Sequence, residues 1–306
     1  MTQPKSGIRF WLKNKKQRRI LITAYFFLLP TLIIMGIFLF LPMIQAFIYS
    51  FQEYSLLSTG KFIGLENYKR LIHDEMFLIS LKNSILYLLV VPIIAFLSFL
   101  LAVLVDRRIR GINFFRICYY VPVVTSMIVV GIVWKQLMLS DESGYLNHIL
   151  LKLHLIKKPV YWLTSVQLAL PSVMFVTIWK GLGYYMVIFL AGLRTIPNEV
   201  IEASVIDGAK RWQQVFFIKF PLLKPTFYLV MIISSIAALK VFEEIFVMTK
   251  GNPSFSTSTI VWRIYRVWVS ENYNMGYTSA MGVILFFITL IFSILSTMYI
   301  VKEAKK

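Results

Sequence analysis

The sequence predicts an all-α integral membrane protein with six transmembrane helices and both termini in the cytoplasm. Three observations carry this. Of 306 residues, 58% are hydrophobic and only 15% charged, where a soluble domain of this length carries about 25% charge; the mean hydropathy is +0.73. The apolar residues gather in uncharged runs of 22, 21 and 26 residues, and about 20 residues let a helix cross the roughly 30 Å hydrocarbon core. The basic excess, a net +18, falls on alternate connections, as expected when cytoplasmic loops retain Lys and Arg.

In chain order, residues 1–19 form a basic cytoplasmic segment with Lys5, Arg9, Lys13, Lys15, Lys16, Arg18 and Arg19 and no acid. Ile20–Leu41 is the first span, too long for the apolar core of a signal peptide and followed by no small-residue cleavage site. Residues 20–80 hold this span and an external connection. Residues 81–301 form a core of five further spans. Ile85–Val105 is the second span, closed by Asp106, Arg107, Arg108 and Arg110, and Ile117–Trp134 is the third. The fourth covers about 168–193 and contains Lys180; the fifth covers about 222–249 and contains Lys240, Glu243 and Glu244. The sixth is Gly276–Val301, followed by a cytoplasmic tail at 302–306. With the N-terminus inside, the inner segments hold 19 of the 32 Lys and Arg residues. This distribution explains the basic charge without a nucleic-acid partner, and the chain lacks the interleaved aromatics of a nucleic-acid binder. Membrane lipid is the expected surrounding. The single Cys118 lies in an apolar run and is expected to be a buried structural thiol. His73, His148 and His154 have no metal-ligand spacing.

The polar island at 194–224 is not a plain loop. Pro197 suits the first turn of a helix, and Glu199 and Glu202 favour its positive end. Val200, Ile201, Ala203, Val205 and Ile206 make that helix short and apolar, and Gly208 ends it. A second segment sets Trp212, Val215 and Phe216 at helical spacing. So short a helix is marginal in water by itself and needs either the lipid interface or a protein groove to cover it.

Nine positions within 24 residues carry a resemblance: Glu202, Ala203, Ser204, Asp207, Gly208, Ala209, Ile218, Pro221 and Pro225. In type and spacing they resemble the EAA loop of ABC importer membrane subunits, with Ser204 in place of the second alanine and Phe220 in place of the usual leucine. Residues 24–51, FIGLENYKRLI at 62–72 and residues 246–280 resemble sugar-importer permeases of the maltose type, first subunit. In the last stretch Gly251 is followed by Asn252 and Pro253 where the family has two glycines before the proline, and Asn tolerates a left-handed turn. The resemblance implies a type I permease core in which the loop is the coupling helix, entering a groove on an ATPase. It implies four kinds of subunit: this chain, a second homologous permease, two cytoplasmic ABC ATPases and an extracytoplasmic solute-binding protein. It also implies a substrate path between the fourth and fifth spans.

Thr177, Lys180, Gly181 and Tyr184 share one face of the fourth span, and Ser234, Ala237, Ala238 and Val241 share one face of the fifth. Small residues, a ring and hydrogen-bonding groups suit a sugar; the same spacing also suits close helix packing. No phosphate-cradling glycine loop followed by Lys-Ser/Thr is present, so the chain is not expected to be an enzyme or to hold a cofactor, and ATP would be bound by a separate subunit. Lys240 and Glu244 are spaced to pair on one helix face near the outer end of the fifth span, or to line an outer vestibule there. The sequence leads to import of a sugar or oligosaccharide across the cytoplasmic membrane. A permease for glycerol-phosphate-type solutes shares the loop and architecture. An ion-coupled secondary transporter using Glu243, Glu244 and Lys180 leaves the loop unexplained.

Overall fold

The computed structural model describes residues 15–55, 58–106, 110–141, 143–270 and 274–304. Arg107, Arg108, Glu142, Lys305 and Lys306 lie outside them, as does most of the basic segment at 1–19. Helix α1 (Lys15–Met35) runs through a π-helical turn at Gly36–Phe40 into α2 (Leu41–Tyr49). A hairpin follows, β1 (Gln52–Ser55) against β2 (Ser58–Phe62), then α3 (Glu66–His73). Helix α4 (Glu75–Leu86) continues through a 3-10 turn into α5 (Val90–Val105). Then come α6 (Ile112–Val124), α7 (Met127–Leu137), α8 (Tyr145–Lys152) and α9 (Ala169–Leu193). The polar island holds α10 (Asn198–Ile206), α11 (Arg211–Gln213), a π-helical stretch at Gln214–Lys219 and α12 (Phe220–Leu222). The chain ends with α13 (Lys224–Leu239), α14 (Glu243–Met248), α15 (Ile260–Ser270) and α16 (Met275–Ala304).

Among the described residues, four helices are long and apolar enough to cross a membrane: Arg18–Tyr49, Glu75–Val105, Ala169–Leu193 and Met275–Met298. Two bent pairs bring the number to six if each is one span. The expected third span is one of them, since α6 and α7 meet at 100°. Thr125 and Ser126 are extended between them, with ψ of 136° and 138°. Pro122 has no N–H to continue the ladder, and the Thr125 hydroxyl takes the Val121 carbonyl at 2.9 Å. The other pair, α11–α12 with α13, meets at 69° at the start of the expected fifth span, and α13 stops at Leu239.

That stop corrects the expected Lys240–Glu244 pair. Lys240 is the exposed cap of α13, and 240–242 are not helical, so helical spacing between the two does not apply. Cys118 is also corrected: its thiol is exposed, because α6 buries no residue inside the chain.

The core centres on α5 and α9, which bury Ile94, Phe99, Val176 and Phe189 between them. The Ser98 hydroxyl donates to the Leu182 carbonyl at 3.2 Å. Glycine at 183 lets α6 approach, since a Cβ there would collide with the Tyr119 carbonyl oxygen. Phe99, Phe189, Phe220 and Phe227 form a ring cluster with centroids 4.6–5.9 Å apart. It ties this core to the end of the bundle that carries the polar island. At the same end Lys219 pairs with Asp106 at 3.8 Å, and Arg116 donates to the Val105 carbonyl at 2.6 Å.

A second core, with Leu71, Phe77, Ile260, Tyr277 and Met281 buried, lies at the opposite end. Asp74 organises it. Its carboxylate caps α4 by accepting from the Met76 and Phe77 N–H groups, and it takes the Tyr277 hydroxyl at 2.7 Å and Arg263 at 3.1 Å. Burial works to raise the Asp74 carboxyl. The hydrogen bonds from Tyr277, Phe77 and Arg263, with the Arg263 charge, outweigh that and hold it below the ordinary carboxylate range. The loop at 249–259 is pinned to α4 by Asn83, which donates to the Ser258 carbonyl at 2.9 Å, and by a 2.7 Å Ser80–Ser258 hydroxyl contact. Its left-handed residues are Lys250, Gly251, Ser254 and Phe255, so the expected left-handed role of Asn252 falls on its neighbours. Gly251 also lies against the Trp262 ring, 2.6 Å from where a Cβ would stand.

Candidate functional site

The two faces named from sequence meet. Thr177, Lys180, Gly181 and Tyr184 on α9, with Ser234, Ala237, Ala238 and Val241 on and just after α13, line one cavity of about 310 Å³. Six further residues complete it: Tyr87, Val90, Ile94, Val123, Tyr185 and Glu244. Sequence reasoning did not place these in the wall. Glu244 stood out as a charge within an apolar run, but it was assigned to Lys240. Tyr87 carried a fainter signal, a phenol in an uncharged span whose hydroxyl needs a partner.

The fold positions these groups by interrupting helices. The α4–α5 junction tightens to a 3-10 turn at Tyr87–Leu89, and Tyr87 reaches Thr177 at 2.5 Å, hydroxyl to hydroxyl. The end of α13 at Leu239 lets the chain turn before α14 begins at Glu243, which brings Glu244 to the wall. The break between α6 and α7 frees carbonyls at the end of α6, and the Lys180 ammonium donates to the Val123 carbonyl at 3.4 Å. Glu244 has Thr177 and Lys180 as its polar neighbours there. Ser234 spends its proton on the Val230 carbonyl at 2.7 Å and offers the cavity an acceptor. Tyr184 is 43% exposed and meets the Tyr185 ring edge-on, centroids 5.1 Å apart. Hydroxyls, one ammonium and one carboxylate thus border an otherwise apolar space. That mixture can orient hydrogen bonds to a polyhydroxylated solute and pack rings on its C–H faces.

The second candidate element is α10. Its start is one residue later than expected: Pro197 is the extended cap, and Asn198 opens the helix. Its end is the one expected. Gly208 has φ +77°, its N–H donates to the Val205 carbonyl at 3.0 Å, and the Ala209 N–H reaches the Ser204 carbonyl at 2.9 Å. These two bonds close the helix with a glycine-terminated cap. Ser204 is buried, and its hydroxyl donates to the Ile201 carbonyl at 2.6 Å, which accommodates serine where the resemblance has alanine. Glu202, Ala203 and Asp207 are exposed, Val205 is 60% exposed and Ile206 86%. Ile218 is half-buried and Pro221 exposed beyond it. The helix therefore presents apolar and acidic side chains that none of the described residues covers.

Among the described residues, no group of His, Cys, Asp and Glu is placed to hold a metal ion.

Comparison with known proteins places this architecture. A family model described as the inner membrane component of binding-protein-dependent transport systems matches residues 80–302. The diacetylchitobiose uptake system permease NgcF of Streptomyces coelicolor is 34% identical, over 88% of this chain and 79% of that one. The arabinooligosaccharides transport system permease AraP of Bacillus subtilis is 32% identical, over 95% and 91%. Among solved structures, a chain of a bacterial alginate ABC transporter, crystallised with its alginate pentasaccharide-bound periplasmic protein, superposes with a TM-score of 0.80 at 25% identity. That likeness covers 92% of this chain and 94% of the other.

Proposed function

Because the chain belongs to the family of binding-protein-dependent transport system inner membrane components, we propose that it is a permease subunit importing a sugar or oligosaccharide through the cavity between α9 and α13. Two relatives are named for oligosaccharide uptake and one solved relative for alginate, and a cavity bordered by hydroxyls and rings supports the same solute class. The solved relative stands with a periplasmic binding protein, which supports delivery by such a protein here. A second permease and two ATPases complete the assembly. N-terminus and α10 lie in the cytoplasm, supported by the placement of 19 of 32 basic residues on that side.

The observation that carries this reading is α10, an uncovered apolar helix with a defined end, adjoining a pocketed bundle that has no nucleotide-binding loop. Energy then enters from outside the chain. Closure of the ATPases moves α10. The Lys219–Asp106 pair and the phenylalanine cluster link that end to α5 and α9, and the cavity changes access from one side to the other, an alternating-access cycle. Reconstitution of this chain with its partner permease, ATPases and binding protein in proteoliposomes tests it. Saccharide-stimulated ATP hydrolysis with uptake is expected; uptake by this chain without ATPases, driven by an ion gradient, refutes it.

A further inference from the structure

A second cavity, of about 710 Å³, is built on the same helices as the solute cavity but shares none of its lining residues. Lys82, Leu86, Leu89 and Ile93 follow one another at helical spacing along α4, the 3-10 turn and α5. Leu170, Met174 and Ile178 do the same along α9. An apolar groove results between two spans. Leu86, Leu89, Ile93 and Phe175 in its wall are exposed, so it opens to the surroundings of the bundle. Lys82 is the one charged residue lining it, and Gln167 and Ser254 add polar groups at the same end.

Depth points to the occupant. The uncharged run Ile85–Val105 has the length that crosses the hydrocarbon core, and Lys82 stands three residues before it, about 4.5 Å outside at the helical rise. That is headgroup level. Ile93 lies eight residues inside the run, about 12 Å deep, within the roughly 15 Å that one leaflet gives an acyl chain. Among the described residues, no carboxylate pairs with Lys82, so its charge is open to an anion.

We propose that this groove holds an anionic phospholipid of the leaflet away from α10. The Lys82 ammonium takes the phosphate, Gln167 and Ser254 hydrogen-bond the headgroup, and one acyl chain lies along Leu86, Leu89 and Ile93 against the facing side of α9. A transmembrane helix of a partner subunit seated there would press that lysine against apolar surface, a cost that a lipid phosphate avoids.

The inference does not rest on the saccharide reading, and its test needs no solute. The assembled transporter is placed in phosphatidylcholine nanodiscs with a trace of phosphatidylglycerol carrying a photoreactive diazirine in one acyl chain. After illumination, cross-linked peptides are identified by mass spectrometry, with the exposed first helix as the reference for bulk lipid. Wild type is expected to be labelled along both walls of the groove, and unlabelled phosphatidylglycerol should suppress that label about fivefold more effectively than phosphatidylcholine, as one lysine beside an anionic headgroup implies. The first helix should show no such preference. Lys82→Gln is expected to abolish the preference and Lys82→Arg to keep it. Leu89→Trp fills the groove and should remove the label there alone. Equal suppression by the two lipids in wild type overturns the proposal, as does an unchanged preference in Lys82→Gln. A labelled first helix with an unlabelled groove also overturns it, and shows that a partner subunit covers this face. The wild-type ratio and Leu89→Trp decide the matter should Lys82→Gln fail to assemble.

Discussion

The Tyr277 hydroxyl donates a 2.7 Å hydrogen bond to Asp74, joining segments 203 residues apart. Arg263 meets the same carboxylate oxygen at 3.1 Å, with only 8% of its side chain and 15% of that of Asp74 exposed. One carboxylate thus holds α4, α15 and α16 together at the end of the bundle opposite α10.

Removing that carboxylate takes an ion-pair partner from a buried guanidinium and uncaps α4. Asp74→Ala is expected to destabilise the fold by about 3–5 kcal/mol, the usual cost of breaking a buried pair from one side. Tyr277→Phe removes one hydrogen bond to a charged group and is expected to cost about 1.5–3 kcal/mol. Thermal unfolding in lipid nanodiscs checks both, and equal effects refute the ordering.

The same carboxylate predicts a pH dependence. Its folded pKa is depressed, so its stabilisation is present above the unfolded value of about 3.9 and is lost as pH falls through the folded value. The wild-type melting temperature should therefore drop below about pH 4 more steeply than that of Asp74→Asn. Parallel curves for the two would show that Asp74 does not contribute in this way.

Two glycines of α9 separate packing from solute contact. A Cβ at Gly183 meets the Tyr119 backbone carbonyl, whereas one at Gly181 meets the Ile94 Cδ1 atom at 2.5 Å. Backbone cannot yield cheaply, and the tip of an isoleucine can. Gly183→Ala is expected to cost about 1–3 kcal/mol by overpacking, and Gly181→Ala less. Because Gly181 also lines the cavity, its substitution should reduce uptake more than stability. Uptake and melting temperature measured on both variants check this; the reverse order of stability would reject the close approach of α6 to α9.

These contrasts also show what was legible in the sequence. Small residues at helical spacing identified the α9 and α13 faces, and the structure brings all eight of their named residues to one cavity. Gly208 marked the end of α10 because positive φ is a local requirement that glycine meets. The breaks were less legible. The run Ile117–Trp134 is uncharged throughout, and Pro122 with the polar Thr125 and Ser126 is a faint hint of the 100° bend after Val124. Lys240 and Glu244 read as a pair because helical spacing was extended through residues 240–242, where the chain is not helical. Tyr87 and Glu244 reach the cavity through long-range packing, which no local pattern records. Cys118 read as buried because an apolar neighbourhood in sequence does not distinguish a protein core from the uncovered face of α6.

That exposed thiol shapes the topology experiment. In a Cys118→Ser background, single cysteines at Asp207 and Asn252, both exposed, should label from opposite sides of the membrane. The position at 207 adjoins α10 and should react only from the cytoplasm. Labelling of both from one side would overturn the arrangement with both termini inside.

The coupling role of α10 gives the sharpest contrast. A Cβ at Gly208 meets nothing within 4 Å, so substitution there causes no collision inside the chain. The cost is conformational: at φ +77° a side chain adds about 1 kcal/mol or more, and β-branching raises it. Gly208→Ala should therefore loosen the cap of α10 while the bundle keeps its melting temperature, and Gly208→Val should loosen it further and place bulk where a partner groove must close. Glu202→Ala removes an exposed carboxylate and should weaken ATPase attachment by about 0.3–1 kcal/mol. Co-purification of the ATPase and saccharide-stimulated hydrolysis are the measurements. The expected order of loss is valine over alanine at 208, with the cavity's own saccharide binding unchanged in both. Wild-type ATPase retention and hydrolysis in Gly208→Val would show that α10 does not carry the coupling, because no other property of that glycine protects it.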